Sequence, residues 1–180
     1  VFNVSHGWSR NDLYFVDTQS EQGLVTIVEG MDGSFNTWFI GDRLFVSSDV
    51  SANNGEIYEV DWANPSFESW TTVIKQDPQK IIQSVSAIDN KHIVTYLHNV
   101  QNELHLYSPN GEHLQQLPVP AFSTVTSVSV NPSGDDLFFG VESYLSPRTT
   151  YQYTVGTNEL VVYAKNQVPF DSEQYEVEQS

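Results

Sequence analysis

The chain has 180 residues, 39% apolar and 13% aromatic, which is enough for a sizeable core and excludes a disordered polymer. Twenty-three acidic against seven basic side chains give a formal net charge of −16, which repels phosphate backbones and anionic lipid and so excludes nucleic-acid and membrane partners. Cysteine is absent, removing disulfides and thiolate metal sites, and no apolar run approaches the roughly 20 residues a bilayer requires.

In chain order, short runs of β-type residues alternate with turn chemistry. Phe2 to His6, Leu13 to Asp17 and Leu24 to Glu29 come first. Four follow at Phe35 to Ile40, Leu44 to Asp49, Ile57 to Asp61 and Trp70 to Lys75, then four at Ile82 to Ile88, Ile93 to His98, Leu104 to Ser108 and His113 to Leu117. The last four are Val125 to Val130, Leu137 to Ser143, Tyr151 to Val155 and Leu160 to Ala164. Leu13-Tyr14-Phe15-Val16-Asp17 is echoed by Ile57-Tyr58-Glu59-Val60-Asp61, by Leu104-His105-Leu106-Tyr107-Ser108 and more faintly by Tyr151-Gln152-Tyr153-Thr154-Val155. The echoes start 44, 47 and 47 residues apart, and a period in the forties carried by strands is that of a propeller blade. The sequence therefore predicts an all-β chain, a β-propeller fragment of about three and a half four-stranded antiparallel blades. These are a partial blade over 1–30, whole blades over 31–76, 77–119 and 120–165, and a linker over 166–180. No window has amphipathic-helix spacing, and Asn64 to Glu68 suits at most one helical turn.

Catalytic motifs are absent. Gly33-Ser34-Phe35 and Ser133-Gly134-Asp135 do not make the G-x-S-x-G elbow, and no P-loop, dinucleotide fingerprint or His-Glu-x-x-His pair occurs. Four histidines, His92, His98, His105 and His113, crowd together. Pairing 93–98 with 103–108 around a turn centred near Gln101 sets His98 opposite Leu104 and His105 opposite Leu97, on different faces, so no metal site is expected. Asp49 to Glu56 spaces oxygens as a calcium loop does, but Gly55 stands one place late and Val60 occupies the twelfth position. A hairpin loop on Asn54-Gly55 accounts for these residues. Gly134-Asp135-Asp136 reads as a turn rather than part of a carboxylate pair. No cofactor is implied.

From Asn11 to Gln174 the order of segments resembles the second half of the propeller domain of prolyl oligopeptidase, a serine peptidase that cuts short peptides after proline. The likeness is carried by Asn11 to Asp17, by Gly55 to Asp61 with Pro65 and Trp70, by Tyr96-Leu97-His98-Asn99-Val100 with Asn102-Glu103-Leu104, and by Ser143-Tyr144-Leu145-Ser146-Pro147 with Thr150-Tyr151. Phe170 to Val177 is similar to the family's linker from propeller to hydrolase domain.

The resemblance implies a seven-bladed ring that caps an α/β-hydrolase domain of the parent chain and admits short peptides, in a cytoplasmic or periplasmic protein. The catalytic residues would belong to the hydrolase domain. The family commonly sets a cavity-facing arginine just before the Leu-Tyr of its fourth blade; Asp12 stands at that place, with Arg10 two residues earlier as a substitute or as part of a plain turn. The first strand of each blade should lie nearest the axis, where Ser84, Ser86, Ser127 and Ser129 alternate with Val85, Val128 and Val130. These six residues are the candidate cavity-facing positions. Two functions remain open: the substrate-gating part of a prolyl oligopeptidase-like peptidase, or a free-standing propeller-type binding module completed by self-association. Either way, unpaired terminal blades expose apolar faces, and the isolated chain should self-associate.

Overall fold

The structure, a computed structural model, describes residues 1–19, 23–131, 134–144 and 147–166. The expected linker beyond Asn166, and Ser133, Leu145 and Ser146, lie outside the described residues. Fifteen strands form among those described. The first sheet joins β1 (Phe2–Ser5), β2 (Asn11–Phe15) and β3 (Val25–Val28) in the order β1-β2-β3. The second is β4 (Phe35–Ile40), β5 (Arg43–Ser48), β6 (Glu56–Val60) and β7 (Thr71–Ile74), again in chain order. β8 (Ile81–Ile88), β9 (Lys91–His98), β10 (Gln101–Tyr107) and β11 (His113–Gln116) make the third. The fourth contains β12 (Thr124–Val130), β13 (Asp136–Glu142), β14 (Thr149–Thr154) and β15 (Glu159–Lys165). The pairings between these strands are antiparallel, and the fold is a partial β-propeller of three four-stranded blades and one three-stranded one. The helical turn is a single 3-10 turn at Phe67–Ser69, and among the described residues no helix is long and apolar enough to cross a membrane.

The four echoes fall on corresponding strands: Leu13 on β2, Ile57 on β6, Leu104 on β10 and Tyr151 on β14. Each of these strands meets the outermost one through a register shift, at Leu13/Tyr14, Ile57/Tyr58, Leu106/Tyr107 and Thr150/Tyr151. A bulge adds one residue to one strand and increases its twist. In every blade a tyrosine marks it; counted from the echo, it comes two residues later in the third blade and one residue earlier in the fourth.

The chain divides into two compact units, Val1–Ile82 with Pro109–Glu112, and Gln83–Ser108 with His113–Ser180. In the first, Leu13, Val28, Phe35, Leu44, Val46 and Val60 pack together, with Trp70 against them. In the second, Ile88, Ile93, Leu104, Leu106, Leu137, Phe139 and Tyr153 do the same. These are the inward members of alternating strands, and each large apolar side chain fully removed from water contributes about 1.5–3 kcal/mol.

One register differs from expectation. β9 and β10 pair with Gln101 opposite His98 and Leu104 opposite Thr95, so the turn is the two residues Asn99-Val100, not a loop centred near Gln101. Both have left-handed backbone, φ 47° and 63°, as a tight hairpin whose twist matches its strands requires. The displacement from the expected register is odd, so it exchanges the faces of one strand relative to the other. His98 and His105 therefore lie on the same face, not on opposite ones.

Candidate functional site

The turn from β1 to β2 carries the first two candidates. His6 N–H donates to the Arg10 carbonyl at 2.8 Å, which closes the turn and leaves the Arg10 side chain exposed. Asp12 is 6% exposed. Its carboxylate accepts the Gly30 N–H at 2.9 Å and lies 2.6 Å from His6 Nε2. The Gly30 hydrogen bond, more than the neighbouring His6 and against the cost of burial, holds the Asp12 carboxyl below the usual aspartate range. Gly30 has φ +69°, a conformation other residues adopt at a cost.

Ser84 and Ser86 lie on β8 and Ser127 and Ser129 on β12, the strands at the first edge of their sheets. Ser84, Ser127 and Ser129 are exposed and Ser86 is half-buried. Arg148 Nη2 donates to Ser127 Oγ at 3.0 Å. Gly140 lies opposite Ser127 in the register, and a Cβ there would stand 2.8 Å from Ser127 Oγ and 3.1 Å from Arg148 Nε. A glycine is thus needed for this contact. Arg148, Glu142, Tyr144 and Phe122 line a half-open cleft of about 400 Å³.

Sequence reasoning missed two asparagines. Buried Asn11 accepts the Phe35 N–H at 2.7 Å and donates to the Phe35 carbonyl at 2.8 Å, tying the third strand position of one blade to the first strand of the next. Asn102 stands in the same place relative to its echo and accepts the Val125 N–H at 2.8 Å, while its amide donates to Gln83 Oε1 at 2.6 Å. In the second blade the link is made by backbone, from Ile82 N–H to the Asn54 carbonyl at 2.9 Å. The signal in the sequence was Asn-x-Leu in two of the repeats, Asn11 to Leu13 and Asn102 to Leu104.

The histidines behave differently from expectation. His92, Tyr96 and His98 on β9 are opposite Tyr107, Glu103 and Gln101 on β10, and His113 on β11 is opposite Tyr107. Directly opposed residues share a face, so all four histidines belong to one side of this sheet, away from the side bearing Ile93, Leu104 and Leu106. His98 Nδ1 is 2.7 Å from Glu103 Oε1, His105 Nε2 is 2.8 Å from Glu103 Oε2, and His105 Nδ1 is 2.9 Å from His113 Nε2. Among the described residues no three His, Asp or Glu side chains converge as a metal cage. The Asp49–Glu56 segment is a hairpin loop in which Asp49 Oδ1 accepts the Ser34 N–H at 2.8 Å, and Gly55 with φ +85° leads into β6.

The profile of the prolyl oligopeptidase N-terminal β-propeller domain matches residues 1–166. The chain belongs to this family. The prolyl endopeptidase of Elizabethkingia meningoseptica is 24% identical over 180 residues, 99% of this chain and 25% of the relative. A solved structure from a study of two prolyl endopeptidases and their inter-domain dynamics superposes with a TM-score of 0.91 at 26% identity, covering 99% of this chain and 26% of that one. The fold is also that of prolyl oligopeptidase B from Galerina marginata, with a TM-score of 0.82 at 15% identity over 93% of this chain and 25% of that one. The chain thus spans about a quarter of the length of the relatives it matches. Asp12 stands just ahead of Leu13-Tyr14 in this chain, and its carboxylate is engaged by His6 and Gly30.

Proposed function

We propose that this chain is a substrate-gating portion of the propeller of a prolyl oligopeptidase-like serine endopeptidase that cuts short peptides after proline. The single observation that carries this reading is the likeness to a prolyl endopeptidase structure over 99% of the chain at a TM-score of 0.91. In this reading a hydrolase domain elsewhere in the polypeptide supplies the nucleophile, since no G-x-S-x-G occurs in these residues. The propeller covers its active site, narrows the way in and keeps bulk water from the reacting bond. In the second unit, exposed Ser84, Ser127 and Ser129 and half-buried Ser86 are the positions this reading turns toward the substrate; in the first unit, Asp12 fixes the turn that presents exposed Arg10.

The exposed apolar residues at the two terminal sheets support continuation of the blades into neighbours. Phe2 and Val4 on β1 are 58% and 44% exposed, and Val162 and Tyr163 on β15 are 58% and 65%. The test is covalent labelling with a serine-directed phosphonate, applied to residues 1–180 alone and to the longer polypeptide encoded by the same reading frame. Labelling of the longer polypeptide outside residues 1–180, with none within them, is expected. Stoichiometric labelling of a serine within residues 1–180 overturns the gating role, and an unlabelled longer polypeptide that nonetheless binds partners favours the free-standing binding module.

A further inference from the structure

We propose that Asn110, in the turn between β10 and β11, is a site of spontaneous covalent modification, with water as the only co-reactant, whose products are aspartate and isoaspartate. Two asparagines in the chain precede glycine, Asn54 and Asn110. A glycine has no side chain to screen its backbone nitrogen, so that nitrogen can reach the preceding asparagine Cγ. The Gly111 nitrogen gives up its proton to water and bonds to Cγ; the bond from Cγ to Nδ2 breaks, and the amide leaves as ammonia. Water then opens the resulting cyclic imide. Opening at Cγ leaves aspartate on an ordinary backbone, and opening at the backbone carbonyl leaves isoaspartate, with the chain running through the former side chain. No oxidant or reductant is needed. The two Asn-Gly pairs are alike in sequence, and the fold treats them oppositely.

At Asn54 both reacting groups are held. The Gly55 N–H, whose nitrogen is the nucleophile, donates to the Ala52 carbonyl at 2.7 Å, and Asn54 Nδ2, the leaving nitrogen, donates to the Asp77 carbonyl at 2.8 Å. Gly55 is buried, and a Cβ there would lie 3.2 Å from Ile82 Cβ. Attack therefore waits until both hydrogen bonds open, each of which stabilises the closed loop.

At Asn110 the arrangement is reversed. The turn residues Pro109–Glu112 belong to the first compact unit, as Arg43 does. Asn110 is exposed, and its oxygen is the engaged atom: Oδ1 accepts from Arg43 Nη1 at 3.1 Å. Arg43 is itself fixed by two 2.7 Å bonds to the Glu59 carboxylate and lies 5.1 Å over the Phe45 ring. A preset cation thus sits on the oxygen that gains negative charge as nitrogen adds to Cγ. Among the described residues neither Asn110 Nδ2 nor the Gly111 N–H has a hydrogen-bond partner, so nucleophile and leaving group are both unrestrained. The products then differ in fit. Aspartate keeps the turn and places a second carboxylate beside Arg43. Isoaspartate adds an atom to the main chain next to Gly111, where a Cβ would already stand 2.0 Å from the Val73 carbonyl oxygen, so it lifts the turn from β7.

The experiment is incubation of the 180-residue chain at mildly alkaline pH, once native and once in concentrated urea, followed by digestion and tandem mass spectrometry of the peptides around Asn54 and Asn110. Electron-based fragmentation separates isoaspartate from aspartate. In the native chain conversion at Asn110 should outpace that at Asn54 by at least about tenfold, since two hydrogen bonds must open at Asn54 first. In urea, where neither pair is held, the two rates should converge. Asn110→Gln, an exposed position, should remove the acidic species that isoelectric focusing resolves in the aged native parent. An Asn110 that stays intact in the native chain, native conversion at Asn54 as fast as at Asn110, or an undiminished acidic species in Asn110→Gln overturns the proposal.

Discussion

Removing the Asn11 side chain should loosen the seam between the first two blades more than any other single polar deletion there. Asn11 is 7% exposed and Phe35, which it serves twice, is fully buried. In Asn11→Ala the Phe35 N–H loses its 2.7 Å partner, and the carbonyl loses its 2.8 Å donor while keeping the longer contact from Asn3 Nδ2 at 3.5 Å. A buried donor or acceptor left without a partner costs about 1–3 kcal/mol, so the loss here is about 3 kcal/mol. For a chain of this size each kcal/mol moves Tm by about 2–4 °C, giving a fall of about 6–12 °C. Asn11→Asp separates the two bonds. It keeps the acceptor but sets a carboxylate against the Phe35 carbonyl, so it should be as unstable as alanine at neutral pH and partly recover in acid, when the protonated group can donate. Asn36→Ala, at an exposed site on β4, should change stability by less than about 0.5 kcal/mol. Differential scanning calorimetry of the three variants is the assay, and an Asn11→Ala midpoint within about 2 °C of the parent would refute the reasoning.

Three further outcomes are expected. Val100 is β-branched, 82% exposed and held at φ 63°; Val100→Gly should therefore stabilise the chain by about 1 kcal/mol, seen as a raised denaturant midpoint, and no gain would contradict the strained turn. Burial, aided by the Glu56 carboxylate 2.8 Å from its hydroxyl, pushes the Tyr58 phenol up to about 12. Because the folded form keeps a proton that the unfolded form loses near its ordinary value of about 10, Tyr58 should make stability fall between pH 10 and 12, and Tyr58→Phe should flatten that limb. Light scattering over a dilution series should show association or aggregation driven by the exposed Phe2, Val4, Val162 and Tyr163. A few hundred Å² of apolar surface supplies several kcal/mol at about 25 cal/mol per Å², and a compact, stable monomer of 20.3 kDa would contradict it.

What was legible in the sequence was whatever alternation and spacing control. Leu13, Ile57, Leu104 and Tyr151 could be matched because each lies at a recurring place in a half-buried strand. The β9–β10 register was not legible, because Asn99-Val100 lacks the glycine that usually announces a two-residue turn, and a valine forced to positive φ by its neighbours looks like strand. That single turn hid the histidine cluster. The asparagine seams were hard to read for another reason: their partners are 24 and 23 residues away, and the shared Asn-x-Leu does not by itself tell a buried clasp from an ordinary turn asparagine. Asp12 was legible as an acidic residue opening the Leu13-Tyr14 strand, but not as one tied to the Gly30 amide and His6.

Gating is the central claim, and size selection tests it most directly. A polypeptide that joins these residues to the proposed hydrolase domain should be assayed with a chromogenic Gly-Pro peptide, with an unfolded proline-containing protein, and with the same protein folded. Rapid cleavage of the short peptide and sparing of the folded protein is the outcome the account predicts; cleavage of the folded protein as fast as the short peptide would contradict it.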